Sequence, residues 1–189
     1  LEFRRVLFRS RILRLRDPRR FGAVLWIPAD NEQAQLQALQ QHPLLKSLGP
    51  EPLLADFDAE YLYRSTRGKT AAIKLVIMDS HMVVGVGNIY ASESLFRSGI
   101  HPQKPAGKLS KTQCARLVEE IKSTLAEAIQ AGGSSLRDFF GADGNPGYFQ
   151  QHYFVYARPG LACERCQSVI RQIKQGQRST FFCPKCQRK

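Results

Sequence analysis

The chain has 189 residues, of which 43% are hydrophobic, and its 28 Lys and Arg outnumber its 16 Asp and Glu to give a formal net charge of +12. This apolar content excludes wholesale disorder, and no apolar run reaches the length of a membrane span. The charge predicts a polyanionic partner, with nucleic acid as the first candidate and an anionic membrane surface as the second.

Basic residues cluster towards both ends of the chain. Eight arginines fall within residues 1–20, and eight Lys and Arg fall within residues 158–189, where Glu164 is the one acidic residue. Such a run can be an ordinary solvated face, but two clusters around a more balanced middle favour nucleic-acid contact. The first residues lack the hydrophobic stretch and the cleavage site of a signal peptide, so we expect a cytoplasmic location.

The first predicted elements are two short strands, at residues 11–15 and 21–28, on either side of a turn at residues 17–20. Because two strands are not stable alone, they predict the end of a larger sheet whose other strands are absent. A helix is expected at residues 31–41, and a second helix at residues 56–66 follows a proline-marked linker.

The middle of the chain reads as helical. We predict helices at residues 70–79, 88–97 and 110–130, and the last is the clearest because Ser110 and Gln113 have the spacing of a capping box. A glycine-rich loop is expected at residues 141–147 and a short strand at residues 153–156.

The C-terminal region carries two closely spaced cysteine pairs. Cys163 and Cys166 form one C-x2-C pair, Cys183 and Cys186 form another, and the sixteen residues between them suit a β-hairpin. Four thiolates around one ion form a closed tetrahedral zinc site, so we predict one structural Zn²⁺. Metal binding should supply much of the folding free energy of so short a module.

Two other interpretations of these cysteines are disulfides and a redox centre. Disulfides are disfavoured by a cytoplasmic location, and a redox motif needs only one pair. The fifth cysteine, Cys114, lies on the apolar stripe of a helix and is predicted to be a core residue. The hairpin tip presents Arg171, Lys174 and Arg178, for which a phosphate contact competes with simple solvation.

A second candidate phosphate site lies at Gly85-Val86-Gly87-Asn88, just before a predicted helix. Backbone N–H groups at a helix N-terminus carry partial positive charge, and glycine lets a phosphate approach the backbone closely. Lys69 and Lys74 lie upstream on a helix that could face the same groove. This motif is weak alone but stronger beside the predicted finger and the net charge.

Three motifs in order give the chain a specific resemblance over residues 11–189. They are residues 17–22 (DPRRFG), residues 83–93 (VVGVGNIYASE) and the four-cysteine finger with residues 177–181 (QRSTF). Together they resemble bacterial formamidopyrimidine-DNA glycosylases. The endonuclease VIII branch of the family is less similar around the first two motifs.

The resemblance implies an α+β fold. Its parts would be residual strands of an N-terminal catalytic β-sandwich (1–30), linker helices (31–68), a helix–two-turns–helix domain (69–150) and a β-hairpin zinc finger (151–189). Such an enzyme acts as a monomer on double-stranded DNA in base-excision repair. It removes oxidised purines such as 8-oxoguanine and formamidopyrimidine, and then cleaves the abasic strand by β,δ-elimination.

The resemblance also assigns roles to residues. Arg19 would bind the cytosine opposite the extruded base, and Phe21 would wedge into the stack. Asn88 and Arg178 would grip phosphates, with Lys69 as a further DNA contact, and family accounts make Arg178 the proton donor of the last elimination. A flexible loop would cap the lesion through Gly141, Asp143, Gly144, Gly147 and Tyr148.

The match fails at the start of the chain. Family members begin with Pro-Glu, whose proline amine attacks the sugar and forms a Schiff base, whereas this sequence begins Leu1-Glu2-Phe3. Residues 1–10 match nothing in the family pattern, and a vector or assembly origin would explain them. We therefore expect an enzyme in the full-length parent and DNA binding without catalysis in this chain.

Two alternatives remain at this point. A non-catalytic zinc-ribbon protein that binds nucleic acid would have the same finger and charge. A ribosomal or transcription-associated zinc ribbon would also account for both, but not for the glycine-led helix or the glycine-rich loop.

Overall fold

The computed structural model describes residues 4–8, 11–15, 24, 26–132 and 153–188. Contacts divide the chain into two compact units, residues 1–47 and residues 48–189. The domain boundaries expected from the sequence remain predictions. No helix among the described residues combines the length and the apolar character needed to cross a bilayer.

The first unit contains two strands and one helix. Strand β1 (Arg4–Phe8) pairs antiparallel with β2 (Arg11–Leu15), so the prediction of a strand at residues 11–15 is confirmed. The partner of β2 differs from the prediction, because β1 pairs with it and residues 24 and 26–28 form no strand. Helix α1 (Glu32–Gln41) begins after Asn31, whose Oδ1 accepts from the N–H of Ala34 at 2.8 Å.

The described part of the second unit is built on four helices. They are α2 (Ala59–Thr66), α3 (Ile73–Ile77), α4 (Asn88–Arg97) and α5 (Lys111–Gln130), with a short 3₁₀ turn (Ala106–Lys108) before α5. Helix α5 packs against α2 and α4. Their shared core is formed by fully buried side chains that include Phe57, Leu62, Ile73, Ile77, Leu95, Leu117 and Ile121.

Helix α5 follows its sequence pattern closely. The Ser110 hydroxyl accepts from the N–H of Gln113 at 3.1 Å, and the Gln113 side-chain oxygen accepts from the N–H of Ser110 at 3.2 Å. This reciprocal pair confirms the predicted capping box. Cys114 is fully buried in the apolar core, as its place on the helix predicts.

Helix α3 is shorter than the predicted helix at residues 70–79. Ala72 instead forms an isolated antiparallel bridge with Pro105, and the N–H of Ile73 donates to the carbonyl of Lys104 at 2.8 Å. The start of the predicted helix is thus held in extended form by a loop more than thirty residues away. The short helix that follows this bridge contacts the C-terminal finger through Lys74.

The finger contains the predicted hairpin, with β3 (Arg171–Gln175) antiparallel to β4 (Arg178–Phe182). Strand β4 packs against α4. The prediction of a strand at residues 153–156 is wrong, because that segment forms a turn. Its consecutive N–H groups are directed to a single side chain, Glu93, rather than to a neighbouring strand.

Candidate metal centre and nucleic-acid interface

The four paired cysteines meet at one point. The sulfur atoms of Cys163, Cys166, Cys183 and Cys186 all lie within 4.8 Å of one another. The Cys163 and Cys186 sulfurs are 3.9 Å apart, and those of Cys166 and Cys183 are 3.4 Å apart. We call each C-x2-C pair a knuckle. Each of these two sulfur pairs joins one cysteine of the first knuckle to one of the second, which is the arrangement that a tetrahedral ion requires.

Backbone geometry turns each knuckle towards the cluster. The N–H of Gln167 donates to the carbonyl of Cys163 at 2.7 Å, with Gln167 itself at φ 62°. In the second knuckle, the N–H of Gln187 donates to the carbonyl of Cys183 at 3.0 Å. The side chain of Gln187 is fully buried and donates from Nε2 to the carbonyl of Ile100 at 2.9 Å, so it ties the knuckle to the end of α4.

The thiols of the cluster differ in acidity. Hydrogen bonds from the backbone and hydroxyl of Ser168 lower the pKa of Cys166 to about 6. Burial is the main cause that raises the pKa values of Cys183 and Cys186, and neighbouring thiols add to it. Four thiolates so close together need a positive ion to stay deprotonated, and a zinc ion would supply structural cross-linking with no open coordination position.

The tip of the hairpin is a two-residue turn. Gly176 and Gln177 have φ values of 49° and 64°, as expected for a tight turn whose twist matches the strands. A Cβ atom on Gly176 would lie 2.9 Å from Cδ2 of Leu75, so the tip rests on α3. Glycine is favoured at this position by the positive φ, and a larger residue would also require the Leu75 side chain to move.

Lys74 connects α3, α4 and β4. Its side chain is fully buried, and its ammonium donates to Asn88 Oδ1 at 2.6 Å, to Thr180 Oγ1 at 2.7 Å and to the carbonyl of Ser179 at 3.1 Å. Asn88 Nδ2 also donates to the carbonyl of Ser179, at 3.0 Å. Lys74 therefore lies inside the protein, rather than on the surface where the predicted phosphate contact requires it.

This burial changes the acid–base behaviour of Lys74. Desolvation, with a smaller effect from the charge of Arg178, lowers the pKa of Lys74 to about 8. Near neutral pH the ammonium is still mostly charged, so it can satisfy three acceptors at once. We call this network of Lys74, Asn88, Ser179 and Thr180 the lysine joint.

The N-terminus of α4 differs from those of the other long helices. Asn31, Asp58 and Ser110 each cap α1, α2 and α5 with a side-chain hydrogen bond, whereas Gly87 gives α4 no side-chain cap. Among the described residues, apart from the two chain neighbours of Gly87, no atom lies within 4 Å of the position that a Cβ on Gly87 would occupy. Exposed N–H groups in open space at a helix N-terminus make a ready anion site.

Glu93, in the middle of α4, anchors the segment that leads into the finger. Its carboxylate is fully buried and accepts from the N–H groups of Phe154, Val155 and Tyr156 at 2.9, 3.0 and 2.8 Å. Burial raises the pKa of Glu93, and the three N–H donors only partly oppose that rise. The sequence analysis gave Glu93 no separate role. The signal that could have revealed one is a carboxylate within a helical segment whose other residues are buried.

The remaining predicted site residues fall into two groups. Lys69 and Arg178 are exposed, and Asn88 is half-buried at the lysine joint. The described residues therefore bring Asn88 and the strand of Arg178 together, with Lys69 four residues before α3. The other predicted contacts lie outside the described residues: Arg19, Phe21, Gly141, Asp143, Gly144, Gly147 and Tyr148.

Two family models match the chain. The formamidopyrimidine-DNA glycosylase H2TH domain matches residues 48–140, and the zinc finger found in FPG and IleRS matches residues 160–188. The second match covers the four-cysteine cluster, and it confirms the prediction of a zinc finger with one structural Zn²⁺.

Curated relatives are similar along nearly the whole chain. A formamidopyrimidine-DNA glycosylase from Methylobacillus flagellatus is 61% identical over 178 residues, which are 94% of this chain and 61% of that protein. One from Thioalkalivibrio sulfidiphilus is 60% identical over 179 residues, or 95% of this chain and 63% of that protein. The chain thus spans about three fifths of the length of these relatives.

Solved structures share the fold. The MutM (Fpg) protein from Thermus thermophilus matches with a TM-score of 0.84 and 36% identity, over 97% of this chain and 67% of that one. The Lactococcus lactis Fpg in complex with abasic-site DNA matches with a TM-score of 0.74 and 37% identity, over 81% and 56%. Complexes with Fapy-dG DNA and with carbocyclic 8-oxo-G DNA are also similar.

Loss of the metal is expected to unfold residues 160–188 while α2 to α5 persist, because the finger has few apolar contacts of its own. The variant Cys183→Ser/Cys186→Ser should lose stoichiometric zinc in elemental analysis, and its hairpin amides should lose their dispersed NMR shifts. Cys114→Ala is the matched control and should keep one zinc per chain. An intact hairpin in fully chelated protein would contradict this expectation.

Replacing Lys74 with Met is expected to change how stability depends on pH. Between pH 8 and 10.5 the unfolded chain holds a proton that native Lys74 has released, so the native state gains stability as the pH rises. The stability of unmodified protein relative to Lys74→Met should therefore increase over that range, by up to roughly 3 kcal/mol given a pKa lowered to about 8.

Chemical denaturation at a series of pH values measures this difference. The control is Lys108→Met, which removes an exposed lysine from the 3₁₀ turn and should give a difference that does not vary with pH. A flat difference for Lys74→Met as well would show that folding leaves the pKa of Lys74 unshifted.

Proposed function

Because the chain belongs to the formamidopyrimidine-DNA glycosylase family, we propose that residues 48–189 hold the sugar–phosphate backbone of damaged duplex DNA. The observation that carries this proposal is the lysine joint. It links the uncapped N-terminus of α4 to the strand that bears Arg178. Two kinds of hydrogen-bond donor to phosphate, backbone N–H groups and a guanidinium, therefore belong to one rigid unit. Phosphate contacts of this kind fix the register of a protein on DNA.

The residues in this unit have complementary properties. Gly87 and the first turn of α4 offer backbone N–H groups, Asn88 offers a side-chain amide, and Arg178 offers a charged fork that matches two phosphate oxygens. Exposed Lys69 adds a further cation. Lys74 acts as a positioning residue, since its three N–H groups are already directed to protein acceptors.

The substrates proposed for the full-length enzyme are duplexes with 8-oxoguanine, formamidopyrimidine or an abasic site. The related structures that contain damaged DNA support this choice. The reaction would be excision of the base followed by β,δ-elimination of the strand. Arg19 and Phe21 would occupy the gap left by the extruded base, and the loop of residues 141–148 would cap it.

Catalysis requires a neutral amine that can reach the sugar C1′. The family amine is that of an N-terminal proline. Lys74 is a poor substitute, because it is fully buried and bonded to three acceptors. Arg178 is better suited to a phosphate contact than to proton donation, since a guanidinium is a very weak acid. We therefore propose that this polypeptide binds lesion DNA without cleaving it.

Binding to a short duplex with an abasic-site analogue tests the interface. Asn88→Ala and Arg178→Ala should each weaken binding about tenfold, as expected for loss of a phosphate hydrogen bond. Only Arg178→Ala should reduce the slope of log affinity against log salt, by about 1, because Asn88 carries no charge. Fluorescence anisotropy at several salt concentrations measures both quantities.

Arg64→Ala is the matched control for charge, because it removes an exposed arginine that is ion-paired with Glu60 on α2. Its affinity and salt slope should match those of the unmodified protein. An equal loss of slope in Arg64→Ala would indicate diffuse charge attraction in place of a defined site. Tighter binding to structured RNA than to lesion duplex would favour an RNA-binding zinc ribbon.

Borohydride trapping on abasic-site DNA tests the proposed lack of chemistry. We expect no covalent adduct from the 189-residue polypeptide under conditions in which the full-length Methylobacillus flagellatus relative is trapped. A strong adduct that disappears in Lys74→Met would identify a lysine nucleophile and refute the proposal.

A further inference from the structure

Gln175 is the last residue of β3, and its side chain is unusual among those of the hairpin. Only 8% of the residue is exposed, and its side-chain oxygen Oε1 is buried with no hydrogen-bond partner among the described residues. A buried acceptor without a donor costs about 1–3 kcal/mol, whereas an apolar side chain of the same shape would avoid that cost. A polar residue at this position therefore suggests that a hydrogen-bond donor reaches this oxygen when the protein binds its ligand.

The strand register places a charged hydrogen-bond donor opposite Gln175. Gln175 pairs directly with Arg178 across the two-residue turn. Side chains of directly opposed residues lie on the same face, with Cβ atoms about 4.5–5.5 Å apart. The flexible arms of glutamine and arginine can readily span that distance.

Arg178 also has donors to spare. Its side chain is exposed, and the described residues provide no hydrogen bond or ion pair to its guanidinium. The other nearby cation, Lys74, already uses its three N–H groups on Asn88, Ser179 and Thr180. Arg178, which lies directly opposite Gln175 in the hairpin, can therefore satisfy the buried oxygen with one of its N–H groups.

We propose that Gln175 is a positioning residue for Arg178: its buried amide oxygen accepts one guanidinium N–H when the finger engages DNA. A guanidinium has five N–H donors in a planar fork, so one bond to Gln175 leaves four for phosphate oxygens. The bond would limit the rotation of a long, exposed side chain and aim its fork along the hairpin tip. This inference rests on the proposed phosphate contact of Arg178.

A double-mutant cycle separates the two proposals. Gln175→Met removes the amide with little change of shape, and its effect is measured with Arg178 present and in the Arg178→Ala background. The readouts are affinity for the abasic-analogue duplex, the salt slope and the melting temperature of the free zinc-loaded protein. Gln172→Met is the matched control, since Gln172 lies on the same strand and faces the other way.

With Arg178 present, Gln175→Met should weaken binding about fivefold, in line with the net loss of one hydrogen bond. It should also move the salt slope towards that of Arg178→Ala. In the Arg178→Ala background the same change should have no effect. The melting temperature should stay the same or rise, because the variant removes a buried acceptor that lacks a donor in the free protein. Gln172→Met should alter none of these quantities.

Equal weakening in both backgrounds, or no weakening beside an intact Arg178, would overturn the role of Gln175 while leaving the phosphate contact of Arg178 in place. If Arg178→Ala itself bound DNA normally, the contact and the positioning role would both fail.

Discussion

The ammonium of Lys74 is enclosed by protein, and the acceptors that it needs come from two elements that are distant in the sequence. A buried charge without partners would be strongly destabilising, so α4 and β4 must meet around it with Asn88, Ser179 and Thr180 in place. That requirement sets the distance between the start of α4 and the hairpin. The surface proposed to hold DNA is the outer side of the same arrangement.

Helix α4 is joined to the C-terminal segment by polar contacts at several points along its length. Asn88 at its start joins β4, Glu93 in its middle accepts three backbone N–H groups of residues 154–156, and the Ile100 carbonyl just beyond its end accepts from Gln187 of the second knuckle. The zinc ion orders the finger internally, whereas these polar ties, together with packing around Phe96, orient it on the helical domain. A hydrophobic contact alone would leave that orientation less specific, because apolar packing is not directional.

The sequence predicts those features that depend on local chemistry. The capping box at Ser110, the glycine-led start of α4 and the cysteine spacing are all short-range signals, and the structure contains each element. Features that depend on distant partners were missed or misassigned. A lysine on a helix next to apolar residues suggests a solvated cation, and only the approach of residues 179 and 180 makes burial of Lys74 possible. The same limit explains the shorter α3 and the turn at residues 153–156, whose backbone partners lie more than thirty residues away.

The proposed DNA-binding surface is also where the described fold leaves polar groups unsatisfied. Three of the four longer helices have a side-chain cap, and the exception is the helix whose tip the lysine joint holds next to the hairpin. The buried oxygen of Gln175 lies on that hairpin. Each of these groups lowers the stability of the free protein slightly. Phosphate oxygens would accept from the N–H groups of α4, and the proposed bond from Arg178 would satisfy the oxygen of Gln175, without any large rearrangement. Since the joint has already fixed their positions, the conformational entropy of ordering them is lost during folding, and binding gains affinity accordingly.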